Sequence, residues 1–386
     1  MNVISRKPQR VAIIHYWLLG LRGGEKVLEA LCRMFPQADI FTHVADPSKL
    51  SDTLTAHKIF ETRIARLPFA RKFYQSYLPL MPRALEELDL SPYDLVISSE
   101  AGPAKGVIVP PTATHLCYCH SPMRYLWDQY HVYRDGSGPV TRLAMPLLAH
   151  RLRQWDVTSA QRVDGFVANS HFVAQRIEKY WRRTAQVVAP PVAVDAFDPV
   201  PAHALGDFYL LAGELAPYKR PELAIDAFRD MDKPLVVIGG PDARVQALRA
   251  RAGPRTTFLG KVSFDVLKDH MARCRALIFP GEEDFGIVPV EVMASGRPVI
   301  AYGRGGILDT VVHKKTGLLF EEQSAHAVKS AVLAFEATGL GDTCAAACTA
   351  QAARFNEAAF VRGIELALAQ ISAKPEMLTY ATTARG

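Results

Sequence analysis

The sequence predicts an α/β protein made of two halves, each a parallel sheet with helices on both faces. Chains longer than roughly 250–300 residues usually divide into domains, and this chain has 386. Short β-rich runs alternate with helical runs, as in parallel sheets. The alternation occurs before and after a proline-rich stretch at residues 190–205. We therefore expect domains over residues 1–195 and 196–355, followed by a helix and tail over residues 356–386.

The elements follow one another in the same manner in both halves. The first half has the strand-like runs RVAIIHYWL, ADIFTHV, DLVISSE, KGVIVP, THLCYCHS and DGFVANS, and the helical run GGEKVLEALCRMF. The second has the strand-like runs FYLLAGEL, PLVVIGGP, TTFLGKV, ALIFPG and RPVIAYG, and the helical runs PELAIDAFRDM, DVLKDHMARC and VPVEVMASG. Residues 356–371 are helical, and the tail from about Ala373 is expected to be frayed. Because open α/β sheets bind ligands beyond the carboxyl ends of their strands, functional residues are expected in the loops after strands.

The composition is typical of a folded protein without a membrane-spanning helix. Hydrophobic residues make up 49% of the chain and charged residues 22%. No apolar run reaches 18 residues, so no transmembrane helix is predicted. The basic residues 1–10 precede a strand-like segment instead of a long apolar stretch, which argues against secretion.

The spacing of the cysteines indicates the redox state of the thiols, and the distribution of charge indicates the kind of partner. The cysteines match neither a disulfide framework nor a zinc site, so buried, reduced thiols of a cytosolic protein are expected. They are Cys32, Cys117, Cys119, Cys274, Cys344 and Cys348. The net charge is +6, and residues 1–195 hold 24 Lys and Arg against 17 Asp and Glu. This excess predicts an anionic partner for the first half, but no nucleic-acid reader motif accompanies it.

The most specific segment is PGEEDFGIVPVEVMASGRPVIA, residues 280–301. The backbone N–H groups near Gly286 and Ile287 would open a helix there, and a helix N-terminus suits a diphosphate. Glu283, before the helix, could accept hydrogen bonds from sugar hydroxyls, and Glu291, inside it, could reach a ribose. The alternative is a capped helix with solvated acidic residues.

A second segment, AGELAPYKRPELAIDAF, covers residues 212–228. Lys219 and Arg220 follow a strand and precede a helix. Two cations in such a loop suit a ligand that carries phosphate. Exposed basic residues without a ligand are the alternative.

A third segment, CYCHSPMRYLWDQYH, covers residues 117–131. His120 ends a strand-like run, where a histidine can hydrogen-bond a sugar or take part in proton transfer. Arg124 and Tyr125 follow it and combine charge with stacking surface. The alternative is a structural histidine.

Gly23 and Gly24 follow the first strand, where glycines let the backbone approach a phosphate closely. The pair is neither GxGxxG nor a P-loop, and an ordinary turn at a helix start fits it equally well. An NAD-dependent oxidoreductase would be expected to carry a fuller glycine fingerprint here.

Together, the motifs HSPMRYLWD, PYKR and GEEDFGIVPVE resemble glycosyltransferase family 4 over roughly residues 10–370, and within it the WbaZ-like bacterial mannosyltransferases. The resemblance implies the GT-B fold, in which two Rossmann-like domains face each other across a cleft and the C-terminal helix packs back on the first. It also implies a retaining reaction with a sugar-nucleotide donor and neither a metal nor another cofactor.

The resemblance implies a role for each matched residue. The catalytic residues would be His120, Glu283 and Lys219. The donor-binding residues would be Gly23, Gly24, Arg220, Phe285, Gly286, Ile287 and Glu291. The sequence departs from many relatives at Glu214, where they carry an arginine, and a carboxylate there cannot pair with phosphate.

Residues 63–83, RIARLPFARKFYQSYLPLMPR, contain five basic and no acidic residues, interleaved with aromatic ones. Such a segment can dock on an anionic leaflet. The hypothesis is that it binds the membrane and receives a polyprenyl-diphosphate-linked acceptor, with Arg71, Lys72, Arg124 and Tyr125 as acceptor or membrane residues. An ordinary amphipathic helix packed on the core is the alternative.

The expected function is transfer of a hexose, mannose from GDP-mannose, to a lipid-linked oligosaccharide in bacterial exopolysaccharide or O-antigen synthesis. The expected location is cytoplasmic, peripheral on the inner face of the cell membrane. A UDP-hexose donor, a GT-B-like phosphorylase or epimerase, and a non-catalytic sugar-nucleotide-binding subunit are the alternatives.

Overall fold

The computed structural model describes residues 9–373, and residues 1–8 and the tail for which fraying was expected lie outside them. The described residues form two compact units. The first runs to Ala168 and adds Ala174–Val188 and the described residues from Val361. The second comprises Asn169–Val173 and Ala189–Phe360.

The first unit is built on a parallel sheet. Its strands, among the described residues, are β1 (Val11–His15), β2 (Asp39–Thr42), β3 (Ile59–Glu61), β4 (Leu95–Glu100), β5 (Thr114–Cys119), β6 (Gly165–Ala168) and β7 (Gln186–Val187). They pair in parallel in the order β3-β2-β1-β4-β5-β6-β7. The helices along this part of the chain are α1 (Gly23–Met34), α2 (Asp52–Thr55), α3 (Ala70–Phe73), α4 (Met81–Glu86), α5 (Tyr130–Asp135), α6 (Pro139–Ala160) and α7 (His171–Trp181).

The second unit repeats this plan with another parallel sheet. Its strands, within the described range, are β8 (Tyr209–Ala212), β9 (Leu235–Ile238), β10 (Thr256–Gly260), β11 (Leu277–Phe279), β12 (Val299–Tyr302) and β13 (Gly317–Phe320), in the order β10-β9-β8-β11-β12-β13. The helices from here on are α8 (Pro221–Arg229), α9 (Asp242–Arg249), α10 (Phe264–Arg273), α11 (Ile287–Ala294), α12 (Ile307–Thr310), α13 (Ala325–Thr338), α14 (Leu340–Thr343), α15 (Ala345–Ala352) and α16 (Glu357–Ser372). The prediction of two parallel-sheet, Rossmann-like domains is thus confirmed.

Each sheet has a point where the strand order reverses. In the first sheet β1 lies between β2 and β4, and in the second β8 lies between β9 and β11. Ligands of open α/β sheets bind in the crevice beyond the carboxyl ends of the strands at such a point. A site is therefore expected in the loops that follow β1 and β4 and in those that follow β8 and β11.

Residues 189–195, assigned to the first domain from the sequence, belong to the second unit. Val192, Val194 and Phe197 are buried in its hydrophobic core, so this proline-rich stretch is packed rather than a free linker. The described residues of α16 from Val361 belong to the first unit. A Cβ on Gly363 would lie 2.5 Å from a methyl group of Val188, so this helix lies close against the end of the first sheet.

One predicted strand is wrong. KGVIVP, residues 105–110, forms turns and irregular structure instead of a strand. Its first residue, Lys105, is fully buried and pairs with the carboxylates of Glu100 and Asp156, which holds the backbone in a turn. The short strands β3, β7 and β13 were not predicted. The six cysteines are free and buried, as expected.

Candidate functional site

In the second unit, Lys219 and Glu283 are brought together from two loops at the reversal point. Lys219 ends a 3₁₀ helix, Pro217–Lys219, that follows β8, and Glu283 lies in the loop after β11. Lys219 Nζ lies 2.8 Å from Glu283 Oε1, and the two side chains are only 19% and 16% exposed. Burial lowers the pKa of Lys219, but the Glu283 carboxylate outweighs it and holds that pKa above its ordinary value. The ammonium group therefore stays charged in a partly desolvated place.

Gly281 sets the distance between these two loops. A Cβ at this position would lie 2.6 Å from the Lys219 Cα and 2.8 Å from its carbonyl oxygen. Both are backbone atoms, so only glycine lets the loops approach this closely. Gly281 was not predicted as a site residue, although a glycine directly after a strand and a proline was an available signal.

Arg220 is placed differently from Lys219. Its backbone is left-handed, with φ of 51°. Its Nε donates to Glu222 at 2.7 Å, and its Nη1 lies 3.4 Å from the Gln323 side-chain oxygen. The guanidinium is thus engaged by its own neighbours. Glu214 is exposed, and its charge adds a minor contribution that raises the pKa of Lys219.

The loop after β11 leads into the N-terminus of α11. Gly286 caps this helix with φ of 93°, and the half-buried Ile287 begins it. Phe285 is buried in the core with its ring edge-on to Phe355 at 5.5 Å, so its side chain anchors the turn. Glu291 lies one turn into the helix and is 8% exposed. The first N–H groups of a helix lack intrahelical partners, so a helix N-terminus is suited to an anion.

The loop after β12 supports the same region, although it was not predicted to be part of the site. Gly306 N–H donates to the Glu283 carbonyl oxygen at 2.8 Å, and Gly305 forms a bridge with Glu283. A Cβ on Gly306 would lie 2.2 Å from the Asp284 carbonyl oxygen. The run GRGG after the strand RPVIAY was the available signal. The backbone of Glu283 is therefore fixed from two sides.

In the first unit, His120 belongs to a chain of buried polar groups. His120 Nε2 lies 2.9 Å from Ser99 Oγ, which lies 3.0 Å from His15 Nδ1. His15 Nε2 lies 3.8 Å from a carboxylate oxygen of Glu25. Burial, with a smaller effect of the nearby His15, lowers the pKa of His120 to about 3. His120 is therefore a neutral imidazole at physiological pH.

Glu25 lies at the other end of this series of polar groups. Burial raises its pKa, but the contact with His15 and backbone N–H groups outweigh burial, so the pKa lies below its ordinary value. One of these bonds is donated by Arg22 N–H at 2.8 Å, at the start of α1. His15, Ser99 and Glu25 were not predicted as site residues, although His15 and Ser99 stand at the carboxyl ends of strands.

Gly24 lies close to His120. A Cβ on Gly24 would lie 2.3 Å from Tyr16 Oη and 3.7 Å from His120 Nε2. Gly23, directly before Gly24, is the first residue of α1. A larger residue at position 24 would push the Tyr16 hydroxyl away, so the small residue keeps the space next to His120 open.

The proposed acceptor and membrane residues lie elsewhere in the first unit. Arg71 is tied to its own unit, since its Nε donates to the Ala45 carbonyl at 2.6 Å and its Nη2 lies 3.3 Å from both Glu61 carboxylate oxygens. Lys72 is exposed, 5.3 Å from the Phe73 ring centre. Arg124 is half-buried, and the Tyr125 ring lies 6.1 Å from that of Tyr133.

Residues 63–83 do not form one amphipathic helix. They form a 3₁₀ helix (Arg63–Arg66), α3, a second 3₁₀ helix (Tyr74–Leu80) and the start of α4. Met81 is buried, whereas Phe69, Phe73 and Leu80 are exposed. Among the described residues, no helix is long and apolar enough to cross a bilayer, and no group of three or more His, Cys, Asp or Glu side chains could hold a metal ion.

Comparison with known proteins agrees with this fold. The crystal structure of Anabaena HepE in complex with UDP and glucose matches with a TM-score of 0.67 and 17% identity, over 94% of this chain and 99% of that one. Two curated relatives match over shorter segments. The D-inositol 3-phosphate glycosyltransferase of Jonesia denitrificans is 36% identical over 34% of this chain and 38% of its own length. The GDP-mannose-dependent alpha-(1-6)-phosphatidylinositol monomannoside mannosyltransferase of Mycobacterium tuberculosis is 31% identical over 38% of this chain and 45% of its own length. The matched segments thus span less than half of each relative.

The two sheets and their strand-end residues define an α/β protein of two Rossmann-like domains, with GT-B glycosyltransferases as its structural neighbours. Residues 21–196 match the model of Glycosyltransferase Family 4, and residues 202–354 match that of Glycosyl transferases group 1. Each half of the chain thus matches a glycosyltransferase model, and the two curated relatives are named as glycosyltransferases.

Proposed function

We propose that this protein is a retaining glycosyltransferase of the WbaZ-like subgroup. It transfers mannose from GDP-mannose to a lipid-linked oligosaccharide in the synthesis of a bacterial exopolysaccharide or O-antigen. The observation that carries the proposal is the Lys219–Glu283 pair, held at the reversal point of the second sheet and followed by the N-terminus of α11. The GDP-mannose-dependent relative supports the choice of donor.

The donor is proposed to bind the second unit. The Lys219 ammonium group and the free N–H groups at the start of α11 supply positive charge for the diphosphate. Glu283, beside Lys219, would accept hydrogen bonds from the hydroxyls of the transferred sugar, and Glu291 would accept them from the ribose. Because these groups can stabilise the leaving diphosphate, the proposed reaction needs no metal ion.

His120 is proposed to hydrogen-bond the transferred sugar as a neutral imidazole. Its low pKa makes it unsuited to act as a cation. In the proposed reaction the acceptor oxygen attacks the anomeric carbon while the bond to the diphosphate breaks. The acceptor proton passes to the leaving phosphate oxygen on the same face, so the anomeric configuration is retained without the two carboxylates of a glycosidase.

Residues 63–83 are proposed to bind an anionic membrane surface. The exposed Phe69, Phe73 and Leu80 with the cation Lys72 support this, since apolar and basic groups together favour an anionic interface. Sedimentation with anionic vesicles tests it. Phe69→Ser with Lys72→Glu should abolish binding. The matched change Phe60→Ser with Lys58→Glu, at exposed residues outside the segment, should leave binding intact, and equal loss in both would refute the proposal.

The test of the enzymatic proposal is a donor panel of GDP-mannose, UDP-glucose, UDP-galactose and UDP-N-acetylglucosamine, with calorimetric binding and turnover measured with and without EDTA. GDP-mannose alone should bind and turn over, unaffected by EDTA. Glu283→Ala should abolish turnover, whereas the neighbouring Glu282→Ala should not. Turnover of a UDP-sugar instead would overturn the donor assignment, and binding of none would overturn the glycosyltransferase proposal.

A further inference from the structure

Gln323, in the short loop between β13 and α13, lies between the two loops that carry Lys219 and Glu283. Its Nε2 donates to the Pro280 carbonyl oxygen at 2.9 Å, and its Oε1 accepts from Arg220 Nη1 at 3.4 Å. Pro280 begins the loop after β11, and Arg220 belongs to the loop after β8. A single side-chain amide therefore joins the two loops.

These two contacts allow only one orientation of the Gln323 amide. An amide donates from its nitrogen and accepts at its oxygen, a carbonyl oxygen only accepts, and a guanidinium group only donates. Exchange of the amide nitrogen and oxygen would therefore break both contacts. Gln323 is half-buried and Pro280 is buried, so water has limited access to the bridge.

Arg220 is held from its other side by Glu222. Its Nε lies 2.7 Å from one carboxylate oxygen of Glu222, whose second oxygen lies 3.3 Å from Arg244 Nη2. The φ of 51° at Arg220 is unfavourable for a residue other than glycine, and such a conformation persists where the surroundings enforce it. Because Lys219 directly precedes Arg220, the contacts that hold Arg220 also fix the backbone from which Lys219 projects.

The two loops meet at two further points. A Cβ on Gly281, the residue after Pro280, would lie 2.6 Å from the Lys219 Cα, and Lys219 Nζ lies 2.8 Å from Glu283 Oε1. Unlike the ion pair, the bridge through Gln323 uses none of the atoms proposed to bind the donor. It can therefore hold the loops together both before and after a donor binds.

We propose that Gln323 is a positioning residue of the donor site, and that Arg220 acts through it instead of binding the diphosphate. The bridge between them keeps Lys219 and Glu283 at the separation that the leaving diphosphate and the transferred sugar require. The inference rests on the proposed function, because it assigns two residues a role within the proposed donor site.

The alternative is that Arg220 binds the diphosphate directly. A cation that binds the donor should contribute to donor affinity, and its contribution should be independent of Gln323. A positioning residue should chiefly affect the rate, because a misplacement of about 1 Å near the reacting atoms can lower the rate about 10²-fold. The two roles therefore differ in whether the donor Kd or kcat changes.

The experiment is a double-mutant cycle of Arg220→Gln and Gln323→Met in the full-length protein, with the donor that the panel identifies. Each single variant should lower kcat by about tenfold to a hundredfold and leave the donor Kd, measured by calorimetry, within about threefold. Because both variants remove the same contact, the double variant should be within about twofold of the slower single variant. Losses that multiply, or a donor Kd raised about tenfold or more in Arg220→Gln, overturn the inference.

The matched controls make the same chemical changes at exposed residues of the second unit. Gln246→Met and Arg251→Gln should each change kcat by less than about twofold. Circular dichroism checks the fold of every variant, and Gln323→Ala takes the place of Gln323→Met should the latter fail to fold. A kcat in the folded Gln323 variant that equals that of the Gln246 control overturns the inference.

Failure of this inference differs from failure of the proposed function. If the wild-type protein turns over a sugar nucleotide and the Gln323 variant keeps its rate, the proposed function stands and only the positioning role is overturned. If the wild-type protein binds no sugar nucleotide, the proposed function is overturned and the positioning role with it.

Discussion

Ser99 Oγ lies 2.9 Å from His120 Nε2, and the same hydroxyl lies 3.0 Å from His15 Nδ1. A hydroxyl has a single proton, so Ser99 can donate to only one of the two imidazoles, and at least one imidazole must donate to Ser99. The tautomer of His120 is thereby coupled to that of His15, whose other nitrogen faces Glu25. Ser99 is thus a positioning residue for His120.

Ser99→Ala should lower kcat by about tenfold to a hundredfold and leave the donor KM within about twofold, because His120 loses its orientation. Ser99→Thr, which keeps the hydroxyl, should restore part of the rate. Ser98→Ala is the matched control, since Ser98 makes the same kind of bond to His115 at 2.9 Å. Steady-state kinetics with the best donor of the panel measures both, and equal effects of the two alanine variants would show a purely structural role.

Lys219→Met should reduce kcat by about 10²–10³-fold, the loss typical of removing one group that stabilises the leaving charge. Lys233→Met is the control, because Lys233 pairs with Glu336 at 2.9 Å in the same unit but outside the site. Single-turnover rates at saturating donor separate the rate from binding. A rate unchanged in Lys219→Met would remove this residue from the proposed chemistry.

Lys105→Met should lower the free energy of unfolding by about 3–5 kcal/mol, because it leaves the carboxylates of Glu100 and Asp156 buried without their cation. The exposed pair of Arg83 and Glu87, 2.9 Å apart, gives the comparison, and Arg83→Met should have little effect. Urea unfolding followed by circular dichroism gives both values. Loss of less than about 1 kcal/mol in Lys105→Met would contradict this assignment.

Stability should fall as the pH is lowered from 7 towards 5. Burial lowers the pKa of His43 to about 4 and that of His115 to about 3, against 6.5 when unfolded. Between pH 6.5 and these lower values, the unfolded chain therefore binds more protons than the folded one. By pH 5, each of the two histidines should lower the free energy of unfolding by about 2 kcal/mol. Urea unfolding across this range checks the slope. His115→Gln should flatten it, whereas His150→Asn, at an exposed residue, should not.

The fold could be predicted because its strands are continuous apolar runs. VAIIH, LVISSE and YLLA all form strands where the pattern indicated them. The strand prediction for KGVIVP was wrong because Lys105 is drawn into buried ion pairs with Glu100 and Asp156, which a periodicity argument does not register. Of the apolar residues in this run, Val107 packs in a hydrophobic cluster, whereas Ile108 is 48% exposed. The short strands β3 and β7 lie at the edge of the sheet and contain too few residues to give a pattern.

The site was predictable where a strand end carries a charged or glycine-rich loop. Lys219, Glu283 and Gly24 were proposed in this way, and the structure brings the first two together. His15 and Ser99 were not found, because each is one polar residue at the end of a buried strand. The hydrogen bond between them depends on β1 and β4 being neighbours in the sheet, and the order of strands is not visible in the sequence pattern.

The close backbone contacts at Gly281 and Gly306 have a consequence for any attempt to alter the proposed donor preference. At both positions the space for a side chain is already filled by the main chain of a neighbouring loop. Substitutions there would dismantle the loops before they could offer a new contact to a different base or sugar. A library for a new donor should keep these glycines and vary Glu214, Ile287 and Val288, whose side chains are at least partly accessible.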